Sequence, residues 1–287
     1  MATAPDPRCA EVSRALAEPM AGTAPTARRW LCLESPQPWP DDIARHPDPA
    51  VREFLARATA AGFRPLLTSG AEPGRILLAD TMPGSTSATT LTVRTEQLDA
   101  LPLPEPGAPL PGEPVTGPLL LVCAHARRDP CCGLDGPALV EALADADVVA
   151  CSHLGGHRFA PTALLLPTGY AYGHLDPAAA AELLAQARHG AVVVDRCRGR
   201  STWSSRGQVA ELAVRAATGL RSPADLVVVD DGDDPVQVAT PSGERWAVDL
   251  ETLEIDTTRP ASCGARPTLM TPLRAVAVHA LGHVAAG

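Results

Sequence analysis

The chain has 287 residues, a formal net charge of −9 and only 3% aromatic residues. At about 150 residues per domain, this length predicts two domains, whose cores must be built mainly from Leu, Val and Ala. The acidic balance argues against a protein that wraps nucleic acid or adheres to anionic lipid.

The first hundred residues predict a small α/β domain. A strand over 30–34 ends at a Pro-rich turn, and a helix over 50–61 follows, because apolar residues recur there at helical spacing and Gly62 stands at the position of a C-terminal cap. Further strands are predicted over 64–67, 75–78 and 89–93. Residues 101–118 contain seven prolines, a composition that predicts a stiff linker between two domains.

A second domain is predicted over 119–225, where strands and helices alternate as in an α/β layer. A buried strand over 119–122 delivers Cys123 at its end. The other predicted elements are a helix over 137–144, strands over 148–150 and 191–194, and helices over 177–188 and 204–220. A β-rich extension is predicted over 226–287, with strands over 226–229, 236–240 and 246–250.

Seven potential metal ligands crowd into the 35 residues that follow the first strand of the second domain, namely Cys123, His125, Cys131, Cys132, Cys151, His153 and His157. Within this group, the pair Cys123 and Cys132 and the pair His153 and His157 each come just after a predicted strand. Two neighbouring strand ends would thus present four donors to one site. We interpret the other cysteines as small buried apolar residues, at positions 9, 32, 197 and 263.

Thiolate and imidazole are the donors that iron–sulfur clusters use, and replacing two thiolates by imidazoles raises the reduction potential. Gly155 and Gly156 lie between the two histidines, where they allow a sharp turn and a close backbone approach. Arg128 either supplies positive charge to an anionic cluster or pairs with its neighbour Asp129.

Two segments carry a resemblance to a known family. Residues 123–133 read CAHARRDPCCG and residues 152–160 read SHLGGHRFA, and both resemble the motifs of the sucrase/ferredoxin-like proteins, C-x-H-x-x-R-D-x-x-C and S-H-x-G-G-H-[KR]-[FY]-A. Together with a Trp- and Pro-containing segment over 30–39, the likeness covers roughly residues 9–220.

The resemblance implies a thioredoxin-like [2Fe–2S] ferredoxin domain over 119–225. It places Cys123 and Cys132 on one iron, and His153 and His157 on the other. Cys131 falls where other members carry Arg or Cys, which leaves it as a spectator or as a substitute for Cys132.

Other kinds of site fit these residues less well. A Cys2His2 zinc site accepts the same donors, but eight residues separate Cys123 from Cys132, where zinc motifs have two to four. A Rieske centre would use C-x-H and C-x-x-H, and the second of these is missing. A thiol oxidoreductase would have to use the vicinal Cys131 and Cys132 without a C-x-x-C motif. The acidic run over 230–234 does not resemble a hydrolase site and is interpreted as a solvated turn.

The expected function is therefore that of an electron carrier, without a substrate of its own and with proton coupling through its imidazole ligands. No dinucleotide fingerprint or phosphate-binding loop is present in the sequence, so electrons must come from a separate reductase and pass to an acceptor protein. No secretory leader and no apolar run of membrane-spanning length is visible, so we expect a cytoplasmic protein. The sequence leaves the oligomeric state open.

Overall fold

A ten-stranded mixed sheet runs through most of the chain, in a computed structural model that describes residues 7–144 and 146–283. Helices pack against this sheet, which confirms the predicted α/β fold class. No helix in the described ranges is long and apolar enough to cross a membrane.

The amino-terminal part contributes one end of the sheet. Its elements are α1 (Cys9–Ala15), β1 (Arg29–Glu34), α2 (Pro49–Ala60), β2 (Phe63–Thr68), β3 (Arg75–Asp80), β4 (Ser87–Thr92) and β5 (Glu113–Pro114). β1 and β2 are parallel neighbours connected by α2, while β3 pairs antiparallel with the other side of β1 and is followed by β4. The four predicted strands and the helix are confirmed to within about two residues, whereas α1 was not predicted.

The next part repeats this connectivity. Its elements are β6 (Leu119–Cys123), α3 (Pro130–Ala142), β7 (Val148–Cys151), β8 (Ala163–Leu166), β9 (Tyr170–Tyr172), α4 (Pro177–Arg188), β10 (Cys197–Arg200) and α5 (Ser205–Thr218). β6 and β7 are parallel across α3, β8 pairs antiparallel with β6, and β9 pairs with β8. The spatial orders β2-β1-β3-β4 and β7-β6-β8-β9 therefore make the two parts topological copies of each other.

The two copies join edge to edge in one sheet. β2 and β7 run antiparallel and pair through Thr68 and Cys151. Beside this pair, Ser152 N donates to Leu67 O at 2.7 Å, and Leu67 N donates to Ser152 Oγ at 2.9 Å. Strands from both sides of the predicted 101–118 linker thus share one sheet, and the division into domains at that linker stays a prediction.

Two predicted elements differ from the structure. The helix predicted over 137–144 begins earlier, at Pro130, because the Asp129 side chain caps its first turn and a proline at the first helical position needs no hydrogen-bond partner. The strand predicted over 191–194 is wrong. Val192 is buried there, but its amide donates to Arg221 O instead of to a strand, and the sheet strand is β10.

The carboxy-terminal extension folds onto α5. Its strands are β11 (Val227–Asp230), β12 (Val236–Ala239), β13 (Glu244–Thr252), β14 (Ile255–Pro260), β15 (Pro267–Met270) and β16 (Leu273–His283). β11, β12, β13 and β16 form a second sheet, and β14 and β15 form a separate hairpin. The three predicted strands are confirmed, and the last three strands were not predicted.

Candidate metal centre

The candidate site lies at the carboxyl ends of β6 and β7. These parallel neighbours end at Cys123 and Cys151, which are paired in register. The segment after β6 leads into α3, whose first turn carries Cys132, and the segment after β7 carries His153 and His157. Since the carboxyl ends of parallel strands meet at one sheet edge, both predicted pairs reach the same place.

The structure brings the four predicted ligands together. The rings of His153 and His157 stack with centroids 4.4 Å apart, and His157 Nδ1 lies 3.7 Å from Cys132 Sγ. Cys123 and Cys132 are buried side by side, and both histidines are half-buried. His153 Nδ1 is buried with no partner that satisfies hydrogen-bond geometry in the described part of the chain.

The pKa shifts of Cys123 and His157 favour the protonation states that bind metal. A hydrogen bond from the Cys132 thiol holds the pKa of Cys123 well below its usual value, although burial opposes this shift. The same bond, together with burial, raises the pKa of Cys132. Burial, with a contribution from His153, lowers the pKa of His157 to about 4. A thiolate and a neutral imidazole are the forms that bind metal.

A buried arginine that the sequence analysis missed stands behind the histidine turn. Arg198, on β10, is 2% exposed, and its guanidinium donates to Gly155 O at 3.0 Å and to Thr23 O. A Cβ atom placed on Gly156 would lie 2.4 Å from Arg198 Nη2. Gly155 and Gly156 both have positive φ, at +90° and +76°, as the predicted sharp turn requires.

Two glycines of α3 let the helix approach the loop that carries Cys123. A Cβ on Gly136 would lie 2.1 Å from Cys123 O, and one on Gly133 would lie 2.5 Å from Ala126 Cα. The first turn of α3, with Cys132, is thereby held against the end of β6.

The remaining members of the predicted group have other surroundings. His125 packs edge-to-face against Trp39, with ring centroids 6.0 Å apart, and Cys151 is fully buried. Arg128 lines a cavity of about 850 Å³ together with His125 and His153. Asp129 forms no ion pair with Arg128 in the described ranges; instead it accepts hydrogen bonds from Cys131 N and Cys263 N.

Comparison with known proteins gives one family and one relative. The family described as sucrase/ferredoxin-like matches residues 20–199. A protein of Eremothecium gossypii, "Altered inheritance of mitochondria protein 32", is 46% identical over 55 residues, which are 17% of this chain and 18% of that protein. This stretch is far less than two thirds of the relative's length. No solved structure matches the chain significantly.

Proposed function

The chain belongs to the sucrase/ferredoxin-like family, and from that premise we propose that it holds a [2Fe–2S] cluster on Cys123, Cys132, His153 and His157 and carries single electrons. The observation that supports this most is the meeting of two buried thiols and two stacked imidazoles at one sheet edge. Nδ1 of His153 is buried and has no partner with hydrogen-bond geometry among the described residues, and a metal bond would compensate this burial.

The surroundings fit a cluster with two thiolate and two imidazole donors. Such a cluster supplies one-electron redox chemistry at a potential raised by the imidazoles. The backbone amides of His125 and Leu154 help to lower the pKa of Cys123 and would stabilise its thiolate. The half-buried histidines lie at the solvent side of the site, where the ring nitrogen that faces away from iron can exchange a proton.

Two alternatives have less support. Four donors on a single zinc ion lie about 3.8 Å apart, given bonds of about 2.3 Å. Among the described residues, the potential ligand atoms that lie within 4.8 Å of one another belong to a different group, which contains Cys131 and none of the four predicted ligands. A thiol oxidoreductase would need Cys131 and Cys132 to act together, but their sulfurs point to different neighbours, Cys9 and Cys263 for the first and His157 for the second.

The proposed carrier needs other proteins. A separate reductase would supply its electrons and an acceptor would remove them, and we place this exchange in the cytoplasm. The net charge of −9 favours encounter with partners that present a basic surface.

The test is anaerobic purification with measurement of iron, acid-labile sulfide and the EPR spectrum of the reduced protein. We expect equimolar iron and sulfide in the wild type, and their loss in Cys123→Ser and His153→Ala. Cys32→Ser is the matched control, because Cys32 is equally buried but lies on β1 and is not one of the four proposed ligands. A wild type without iron and sulfide, or a cluster retained in both site variants, would overturn the proposal.

A further inference from the structure

A second group of metal-binding side chains lies next to the candidate site but shares no residue with it. It contains Cys9, Asp129, Cys131 and Cys263, and one ligand atom from each lies within 4.8 Å of the others. Three distant segments supply them: the start of α1, the start of α3 and the turn between β14 and β15. Cys9, Cys131 and Asp129 are buried, and Cys263 is half-buried.

The three sulfurs form a nearly equilateral triangle. Cys9 and Cys131 are 3.6 Å apart, Cys131 and Cys263 are 3.4 Å apart, and Cys263 and Cys9 are 3.6 Å apart. The nearer carboxylate oxygen of Asp129 lies 3.8 Å from Cys9 Sγ. Sulfurs bonded at about 2.3 Å to one tetrahedral ion would lie about 3.8 Å apart, so small shifts would accommodate an ion between them.

We propose that Cys9, Asp129, Cys131 and Cys263 bind one structural zinc ion. Zinc takes three thiolates and one carboxylate oxygen in a closed tetrahedral site, and no open position remains for catalysis. The site is separate from the proposed cluster, because Cys131 belongs to the zinc site while the adjacent Cys132 faces His157.

The carboxylate is held in place for this role. Asp129 accepts from Cys131 N at 2.8 Å and from Cys263 N at 2.9 Å. Each carboxylate oxygen keeps a lone pair after these bonds, so a metal bond remains available.

Packing of apolar thiols does not account for this arrangement. Cys32, Cys151 and Cys197 are also buried, and none of them has a sulfur neighbour within hydrogen-bond distance in the described ranges. Here the sulfur of Cys131 lies beside those of Cys9 and Cys263, which are 122 and 132 residues away in the sequence. All three sulfurs lie close to the buried carboxylate of Asp129. A disulfide would use two of the sulfurs and leave the third, with the Asp129 carboxylate, unexplained.

The ion would connect the amino-terminal helix and the carboxy-terminal hairpin to the first turn of α3, which also carries Cys132.

The experiment is elemental analysis of the full chain purified from zinc-supplemented cells, with zinc-edge X-ray absorption on the wild type. We expect one zinc per chain, with three sulfur neighbours at about 2.3 Å and one oxygen at about 2.0–2.2 Å. A shell of two sulfurs and two nitrogens would overturn the proposal, because it would put zinc on the other site. Zinc-free protein, or a disulfide found by mass spectrometry of the intact chain, would also overturn it.

Variants distinguish the proposed zinc site from the proposed iron–sulfur cluster. Cys9→Ser and Cys263→Ser should lose zinc while the iron content and the EPR spectrum persist, and Cys197→Ser should keep both metals. Should Cys9→Ser fold poorly, Cys263→Ser and the wild-type absorption data still decide the question. Retention of stoichiometric zinc in both site variants would contradict the assignment, whereas a wild type without iron would leave it standing.

Discussion

Arg198 is a cation almost without access to water. It is 2% exposed, and in the described part of the chain no carboxylate pairs with it; its hydrogen bonds go to two carbonyls and the Thr23 hydroxyl. Burial, with the nearby charge of Arg158, lowers its pKa to about 10, while the thiols of Cys132 and Cys123 oppose the shift. A buried charge is costly unless an anion compensates it, and the proposed centre with two thiolates would provide that anion.

Replacing Arg198 should therefore change the redox properties of the proposed centre. A positive charge stabilises the reduced, more negative cluster, so Arg198→Gln should lower the potential by about 60 mV, the one-electron equivalent of about 1.4 kcal/mol. Protein-film voltammetry of the two proteins would measure the shift. Arg198→Lys keeps the charge and should shift the potential much less. Equal shifts in both variants would mean that Arg198 acts through its hydrogen bonds alone.

Residue spacing explains which candidate ligands were predictable. Cys123, Cys132, His153 and His157 lie within 35 residues, directly after two predicted strands, and the structure shows that these strands are parallel neighbours. Arg198 was not predicted, because it lies on β10 and the sequence predicted a strand at 191–194 instead. Cys9 and Cys263 are more than 100 residues from Cys131 in the sequence. A local sequence pattern cannot predict a contact over such a separation.

At the scale of elements, the turn between the two histidines is set by its glycines. Gly155 and Gly156 both adopt left-handed backbone conformations, which cost other residues about 1–2 kcal/mol. A side chain on Gly155 would meet nothing within 4 Å, whereas one on Gly156 would press into Arg198, which hydrogen bonds hold in place.

This difference predicts unequal effects of the same substitution. Gly155→Ala should lower the free energy of unfolding by about 1–2 kcal/mol and keep most of the iron. Gly156→Ala should add the displacement of Arg198 and lose several-fold more iron per folded chain. Urea denaturation and iron analysis of both variants would check this. Equal iron contents would show that the close approach of Gly156 to Arg198 does not position the histidines.

The failed strand at 191–194 illustrates what apolar composition leaves undecided. An Ala followed by three Val residues is typical of a buried strand, yet Val192 is buried and Val194 is 38% exposed. The edge position beside β9 is taken by β10, which has Cys, Arg and Gly in it. Two of its residues, Arg198 and Arg200, are buried because backbone carbonyls accept their guanidinium hydrogens.

At the scale of the whole molecule, the chain contains two copies of one connectivity, and only the second carries the donors. The strands that end at Cys123 and Cys151 in the second copy correspond to strands that end at Glu34 and Thr68 in the first. The sequence predicted β1 to β4 of the first copy and β6 and β7 of the second, but it did not show that the copies are equivalent, because topology is a property of strand pairing and not of local pattern. The joint between them lies directly beside the candidate site.

Ser152 is the side chain that secures this joint. Its Oγ accepts from the amide of Leu67, a residue with no solvent exposure, and its own amide donates to Leu67 O. Ser152→Ala would leave the Leu67 amide without a partner and should lower the free energy of unfolding by about 1–3 kcal/mol. Ser69→Ala is the matched control: the Ser69 hydroxyl donates to Ala150 O at 3.3 Å, but the Ser69 amide already donates to that carbonyl.

Urea denaturation of both variants would separate the two cases. The midpoint should fall clearly for Ser152→Ala and little for Ser69→Ala, with an unchanged slope if the copies unfold together. A second transition appearing only in Ser152→Ala would mean that the copies unfold separately once the joint is weakened, as the predicted linker over 101–118 would allow. Equal midpoints for the two variants and the wild type would show that the bonds of the Thr68 and Cys151 pair hold the sheet together without Ser152.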